Sequence, residues 1–110
     1  MKIFLNEIAY SRSGDKGNDA NVGLIFKSQP LFNWAKNNIT EKVVKSFFKN
    51  IVKGPVIRYE LPNILALNFI LKDCLDGGGS ASLMNDAQGK TLGQAMLLLE
   101  LNIPDDLIEE

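Results

Sequence analysis

A polar, glycine-rich stretch from Tyr10 to Gly23 separates two apolar segments near the amino terminus, and it constrains the fold of this chain more than any other feature. Each flanking segment predicts a strand, the first imperfectly alternating and the second, at 20–27, alternating cleanly. The chain between them is predicted to be a loop of about ten residues, which is longer than a tight hairpin needs. The apolar positions that predict the two strands are Ile3, Leu5 and Ile8 before the stretch and Val22, Leu24 and Phe26 after it.

The composition of this stretch favours an anion-binding loop. Gly14 and Gly17 permit positive φ angles, which let neighbouring backbone N–H groups point into one concavity. Arg12 and Lys16 add positive charge, and an arginine can hold a carboxylate or a phosphate through two parallel hydrogen bonds. The ligand-binding residues predicted here are Arg12, Ser13, Gly14, Lys16, Gly17 and Asn21.

The two acidic residues of the stretch leave two interpretations open. Asp15 and Asp19 can neutralise Arg12 and Lys16, which would make the stretch an ordinary polar turn. Alternatively, one of the two carboxylates transfers a proton in a reaction, since a buried carboxylate can act as a base. Asp15 and Asp19 are therefore the candidate catalytic residues, and whether the chain is an enzyme stays open.

A second polar region runs from Gly77 to Lys90. One of its three consecutive glycines fits a helix C-cap, and three in succession indicate a hinge or a close approach to a ligand. Lys90 ends a Gly-Lys-Thr sequence, but Met84 stands where a P-loop needs its first glycine, so a nucleotide-hydrolysing P-loop is excluded. The candidates for holding an anionic group in this region are Gly78, Gly79 and Lys90.

The rest of the chain predicts alternating helices and strands. A short helix is expected after Pro30, and apolar residues at helical spacing predict a longer one over Thr40–Val52. Arg58 and Glu60 share one face of the next strand and are expected to pair with each other or to face a partner. The later predicted elements are a strand over Val56–Leu61, a helix carrying Leu67, Ile70, Leu71 and Cys74, and a helix from Thr91 to about Leu99 with a short strand after it.

These elements predict an α+β fold: a two-layer sandwich in which helices cover one face of a mostly antiparallel sheet. Residues 1–104 are expected to form a single domain, and residues 105–110 an acidic carboxy-terminal tail. Two strands before the first long helix depart from the usual β-α-β-β-α-β order of ferredoxin-like domains.

The composition excludes several functions. The chain of 110 residues contains no histidine, which removes Ser-His-Asp and Cys-His nucleophiles and histidine-ligated metals. A single cysteine, Cys74, supports neither an internal disulfide nor a thiolate cluster, so no metal site is predicted, although Asp15, Asp19 or Asp86 leaves an oxygen-ligated cation open. A net charge of −1 and the lack of a long apolar run predict no nucleic-acid or membrane partner, and a cytoplasmic location is expected.

Seven short stretches, in order along nearly the whole chain, resemble the AtuA-like family. The most distinctive is Ser11-Arg12-Ser13-Gly14-Asp15-Lys16-Gly17, which is similar to the opening motif of that family. The family is the carboxy-terminal ferredoxin-fold domain of the acyclic terpene utilisation protein AtuA. The other matching stretches are Ala20–Gly23, Gly54–Val56, Arg58–Pro62, Ala66–Phe69, Leu75–Gly79 and Asp86–Lys90.

The resemblance implies a ferredoxin-like fold and a place in the breakdown of branched acids as CoA thioesters. In AtuA the domain follows a much larger one, so the resemblance implies an accessory subunit or binding module whose partner is a larger AtuA-like chain. The alternative is a stand-alone small enzyme or binder that acts on a CoA thioester or a carboxylate as an oligomer. No cofactor is predicted, beyond a CoA thioester as ligand.

Overall fold

The computed structural model describes residues 1–17, 19–74 and 92–108, with the backbone alone for Asp15 and Lys16. Its strands form a four-stranded sheet in the order β2-β3-β5-β4 and a separate pair, β1 with β6, and every pairing is antiparallel. The strands are β1 (Lys2–Phe4), β2 (Ala9–Lys16), β3 (Asp19–Phe26), β4 (Val56–Leu61), β5 (Ala66–Leu71) and β6 (Glu100–Asn102). The helices are α1 (Gln29–Asn38), α2 (Glu41–Phe47) and α3, described over 92–96.

The core lies between the four-stranded sheet and the helices. Alternate residues of β3 and β5 point into it, because successive side chains of a strand face opposite sides of the sheet. The helices contribute apolar residues to the same cluster, so one face of the sheet is covered. This confirms the predicted α+β sandwich with helices on one face. The central core residues are Val22, Leu24, Phe26, Leu67, Phe69 and Leu71 from the sheet and Leu31, Phe32, Ala35, Val44, Leu92 and Met96 from the helices.

The topology is the β-α-β-β-α-β order with an extra hairpin arm in front of it. The elements β3, α1–α2, β4, β5, α3 and β6 follow that order along the chain. The last strand, β6, pairs with β1 instead of β3, and β2 takes the vacant edge beside β3. Three strands therefore precede the first helix: β3 is the first strand of the ferredoxin-like order, β2 extends its sheet, and β1 pairs with β6 outside it.

The polar stretch at the amino terminus is a β-hairpin, so the prediction of a long loop is wrong. Strands β2 and β3 pair in continuous register from Ala9 opposite Phe26 to Lys16 opposite Asp19. Gly17 lies at the tip with a φ angle of 62°, a conformation that favours glycine. Glycine, serine and aspartate have low strand propensity, but pairing with a central strand overrides that preference.

The helix predicted to carry Leu67 and Ile70 is also wrong, because these residues lie in strand β5. A short apolar run satisfies helical and strand periodicity alike, and periodicity alone cannot decide between them. Here Leu67, Phe69 and Leu71 face the core while Asn68 and Ile70 face the other side. The preceding 3-10 turn, Pro62–Ile64, and Leu65 at a φ angle of 56° bring the chain back from β4.

Three further elements are shorter than predicted. The initial strand ends at Phe4, where a 3-10 turn begins. Helix α2 begins after Thr40, its N-cap, and ends at Phe47 rather than at the predicted Val52. The Lys45 ammonium group donates to the Val52 and Gly54 carbonyls beyond the helix end. Helix α3 ends at residue 96, and the short strand expected after it is present as β6.

Candidate functional site

The face of the four-stranded sheet opposite the helices carries three of the predicted ligand-binding residues, Arg12, Gly14 and Asn21. In the part of the chain that the structure describes, no helix packs on this side. Directly paired residues of antiparallel strands share a face, so the register defines the surface. We call it the open face; its residues are Tyr10, Arg12 and Gly14 on β2, Asn21, Gly23 and Ile25 on β3, Ala66, Asn68 and Ile70 on β5, and Ile57, Tyr59 and Leu61 on β4.

The open face carries large apolar side chains that are exposed to solvent. Its large side chains are Tyr10, Tyr59 and Leu61, exposed by 62%, 53% and 44%, and Ile64 of the adjoining turn is exposed by 56%. Contiguous exposed apolar groups around polar ones mark surfaces that bind partners or ligands.

Strand β4 is inverted relative to the usual pattern, in which apolar residues face the core and charged residues face water. Ile57, Tyr59 and Leu61 point to the open face, whereas Arg58 points towards the helices. The Arg58 guanidinium donates to the Lys36 and Ile39 carbonyls at 2.8 Å and 3.0 Å, where helix α1 ends. The Arg58 guanidinium therefore stabilises the C-terminus of helix α1. The apolar side of β4 faces solvent or a binding partner.

A cleft of about 200 Å³ lies at the middle of the open face. At one end it is lined by the polar side chains of Arg12, Asn21 and Asn68. The other end is aliphatic, and the floor contains glycine. We call this feature the central cleft; its other lining residues are Gly23, Ile25, Leu61, Ile64, Ala66 and Leu67.

Each asparagine of the open face lies opposite a glycine in the neighbouring strand. Asn68 pairs with Gly23 and Asn21 pairs with Gly14. A Cβ atom placed on Gly23 would lie 3.6 Å from the Asn68 Oδ1 atom, and one on Gly14 would lie 3.5 Å from the Asn21 Oδ1 atom. Glycine inside a strand often marks a close approach of a ligand or another backbone, so this pairing keeps the polar end of the cleft accessible.

The charge of the open face is predominantly positive. Arg12 forms no ion pair among the described residues, and the Lys27 ammonium group lies 5.2 Å from the centre of the Tyr10 ring. Lys72 is neutralised by Asp19, with 3.2 Å between its ammonium nitrogen and a carboxylate oxygen. Arg12 is therefore the cation best placed to meet an anion in the cleft.

Asp19 is held as a structural anchor. Its carboxylate accepts a hydrogen bond of 2.8 Å from the Asp73 backbone N–H as well as the Lys72 contact. The hydrogen bond from the Asp73 N–H is the main cause that lowers the pKa of Asp19. Burial opposes it, and the hydrogen bond and charge of Lys72 lower the pKa further. A carboxylate with a lowered pKa is a weak base, which disfavours proton transfer by Asp19. Its ion pair is with Lys72 rather than with Arg12 or Lys16, the partners that the sequence suggested.

The structure brings part of the predicted ligand set together and separates the rest. Arg12, Gly14 and Asn21 lie on the open face. Ser13 is on the covered face, where a Cβ atom on Gly93 would lie 2.5 Å from its hydroxyl oxygen. The other predicted residues lie at the hairpin tip (Gly17), in β2 with side chains outside the described part (Asp15, Lys16), or wholly outside the described residues (Gly78, Gly79, Lys90).

Sequence reasoning missed the aliphatic half of the cleft. The alternation of β4 was visible, but it does not say which side of the strand faces the core. Asn68 interrupts an apolar run in the sequence, but its place beside Gly23 depends on strand pairing. The expected pairing of Arg58 with Glu60 is present at 3.1 Å.

Cys74 is buried, as expected, although it follows strand β5 rather than lying in a helix. Burial raises the pKa of its thiol to about 11. A thiol with so high a pKa is almost entirely protonated at neutral pH and is unsuited to nucleophilic chemistry. None of the helices in the described residues is long and apolar enough to cross a membrane.

The fold and the cleft define a ferredoxin-like α+β domain in which the described residues cover one sheet face with helices and leave the other open. The sequence matches the AtuA ferredoxin-like domain family over residues 3–102 of its 110 residues. The chain therefore belongs to the AtuA ferredoxin-like domain family. No curated protein and no solved structure matches it significantly.

Proposed function

We propose that this chain is a binding subunit of an AtuA-like system in the catabolism of branched acids as acyl-CoA thioesters. Its partner in this proposal is a larger AtuA-like chain that docks on the open face. The observation that carries the proposal is the inverted strand β4, which exposes Ile57, Tyr59 and Leu61 while Arg58 is turned towards the helices.

The composition of the open face supports a protein partner. Tyrosine and arginine are enriched in the central parts of protein interfaces, and lysine and glutamate are depleted there. The open face presents two tyrosines and one arginine on its two outer strands, β2 and β4, and Lys27 lies beside Tyr10. The matching surface of the partner should be apolar, with a carboxylate facing Arg12.

The experiment is affinity purification of the chain from its source cells, with mass spectrometry of the proteins recovered. Recovery of a larger AtuA-like chain in a fixed ratio would support the proposal. Recovery of this chain alone, as a defined homo-oligomer, would contradict it and favour an independent binder or enzyme.

A matched pair of variants locates the interface. Leu61→Glu places a charge on the open face, and Leu98→Glu makes the same change at another exposed leucine, in the turn after α3. We expect Leu61→Glu to weaken partner binding about ten-fold or more, as for a central interface residue, and Leu98→Glu to leave it unchanged. Equal effects of the two substitutions in a binding titration would show that the partner docks elsewhere.

The central cleft favours a second function, a stand-alone binder or small enzyme that acts on a CoA thioester or a carboxylate. Arg12 would hold the anion, while Asp15 would be the remaining candidate for proton transfer, because Asp19 is engaged by Lys72 and Asp73. Ligand binding and turnover that are unchanged in Lys16→Ala and Asp15→Ala would exclude these two residues from such a role.

A further inference from the structure

We propose that the central cleft is a binding site for a small aliphatic carboxylate. Arg12, Asn21 and Asn68 would hold the carboxylate group, and Ile25, Leu61 and Ile64 would contact the aliphatic part. The assignment rests on the proposed role of the open face as a binding surface, and it adds the chemistry of the ligand.

The polar end of the cleft fits a carboxylate by charge and by its hydrogen-bond donors. Arg12 brings a planar guanidinium with paired N–H donors, and each asparagine amide brings an NH₂ group. Across the described residues, the side chains of Asn21 and Asn68 have no hydrogen-bond partner, and Arg12 has no ion-pair partner. A single arginine suits one negative charge better than the two charges of a phosphate.

The other end of the cleft defines the rest of the ligand. Ile25, Leu61 and Ile64 offer aliphatic surface. Among the cleft-lining residues that the structure describes, Arg12 alone is charged. The volume of about 200 Å³ is below that of sites for drug-sized ligands, which are roughly 300–1,000 Å³. The cleft therefore fits a short acid with a compact apolar tail.

Gly23, at the floor of the cleft, lets a ligand reach the Asn68 side chain. Gly23 is central in the sheet, where a side chain would normally strengthen the strand, and its absence leaves the Asn68 amide open to the cleft. An added Cβ atom would lie 3.6 Å from Asn68 Oδ1, an ordinary contact, so the fold tolerates alanine at this position. The methyl group would instead occupy space that the carboxylate needs.

The test is an NMR titration of the isotope-labelled chain with isovalerate, isovaleramide and acetate. We expect isovalerate to shift the backbone signals of Gly23 and Asn68 with a dissociation constant in the millimolar range, as for a fragment-sized ligand. Isovaleramide, which lacks the charge, should bind about ten-fold more weakly, and acetate, which lacks the tail, should also bind more weakly.

Two variants and a matched control complete the design. Arg12→Gln and Gly23→Ala should each weaken isovalerate binding about ten-fold or more, with native-like spectra. Lys27→Gln is the control, because it removes one positive charge near Tyr10 of the open face, as Arg12→Gln removes one at Arg12, but Lys27 does not line the cleft. It should bind isovalerate like the unmodified chain.

Three results would overturn the carboxylate site: no shift with isovalerate, equal binding of isovaleramide, or equal binding by Arg12→Gln and Lys27→Gln. These outcomes are separate from the test of the partner. A chain that captures the larger protein but does not bind isovalerate retains the proposed function and loses this assignment. A chain that binds isovalerate but captures no partner retains the carboxylate assignment and loses the proposed function.

Discussion

Replacing Arg58 with methionine tests why strand β4 is inverted. The Arg58 side chain is only 14% exposed, and its guanidinium donates two hydrogen bonds to carbonyls at the end of helix α1, from Lys36 and Ile39. Methionine retains most of the apolar stem but supplies no donor. Each bond from a charged donor contributes roughly 1.5 kcal/mol or more, and water can partly replace it, so we expect a loss of about 2–3 kcal/mol.

The matched control separates these hydrogen bonds from the ion pair. Glu60, which lies 3.1 Å from the guanidinium, has a side chain that is 47% exposed, so Glu60→Gln should cost at most about 1 kcal/mol. Urea unfolding followed by the fluorescence of Trp34, on helix α1 itself, measures both variants. At about 4 °C per kcal/mol for a domain of this size, the melting temperature of Arg58→Met should fall by about 10 °C.

The reasoning would be refuted if Arg58→Met unfolded within about 1 kcal/mol of the unmodified chain. It would also fail if Glu60→Gln were equally destabilising, since the ion pair would then account for the role of Arg58. In either case the contacts of Arg58 with the C-terminus of α1 would not account for the orientation of β4. The exposure of its apolar side would then need another explanation.

Two further predictions concern ionisable groups. Burial raises the pKa of Cys74 to about 11. Its reaction with a thiol reagent at pH 8 should therefore be slower in the folded chain than in urea by about a hundred-fold or more. Equal rates would show that the thiol is accessible. The pKa of Asp19 is lowered in the folded state, so its stabilising effect is complete above the unfolded pKa of about 4 and is lost as the pH falls through the lower folded value. The difference in melting temperature between the unmodified chain and Asp19→Asn should therefore be largest near neutral pH and shrink in acid, and a difference independent of pH would contradict the assigned contacts.

The elements best predicted from the sequence are those whose hydrophobic pattern fits only one type of secondary structure. Strand β4 has the predicted bounds, Val56–Leu61, because strand-type alternation ends at a proline that cannot continue the ladder. The alternation of Val22, Leu24 and Phe26 likewise predicts a strand with one buried face. The predicted start of the second helix at Thr40 is also close to the observed one, because the Thr40 hydroxyl accepts a hydrogen bond from the first turn of α2.

The elements that were mispredicted depend on pairing with distant residues. Strand β5 lies between β3 and β4, and only this position decides that Leu67 and Leu71 belong to a strand rather than a helix. The hairpin arm β2 is built from poor strand formers, so its structure depends on the register with β3.

The candidate site shows the same division. The sequence alone indicated Arg12 and Asn21 as ligand-binding residues, because their side-chain chemistry is visible without a structure. It also identified the family and the α+β class, since periodicity, composition and short motifs are local properties. The tertiary structure decided that Asn68 and Leu61 join these residues in one cleft, and that the apolar side of β4 faces away from the core. That outcome depends on strand order and on the Arg58 contacts with helix α1, which are set by residues far apart in the chain.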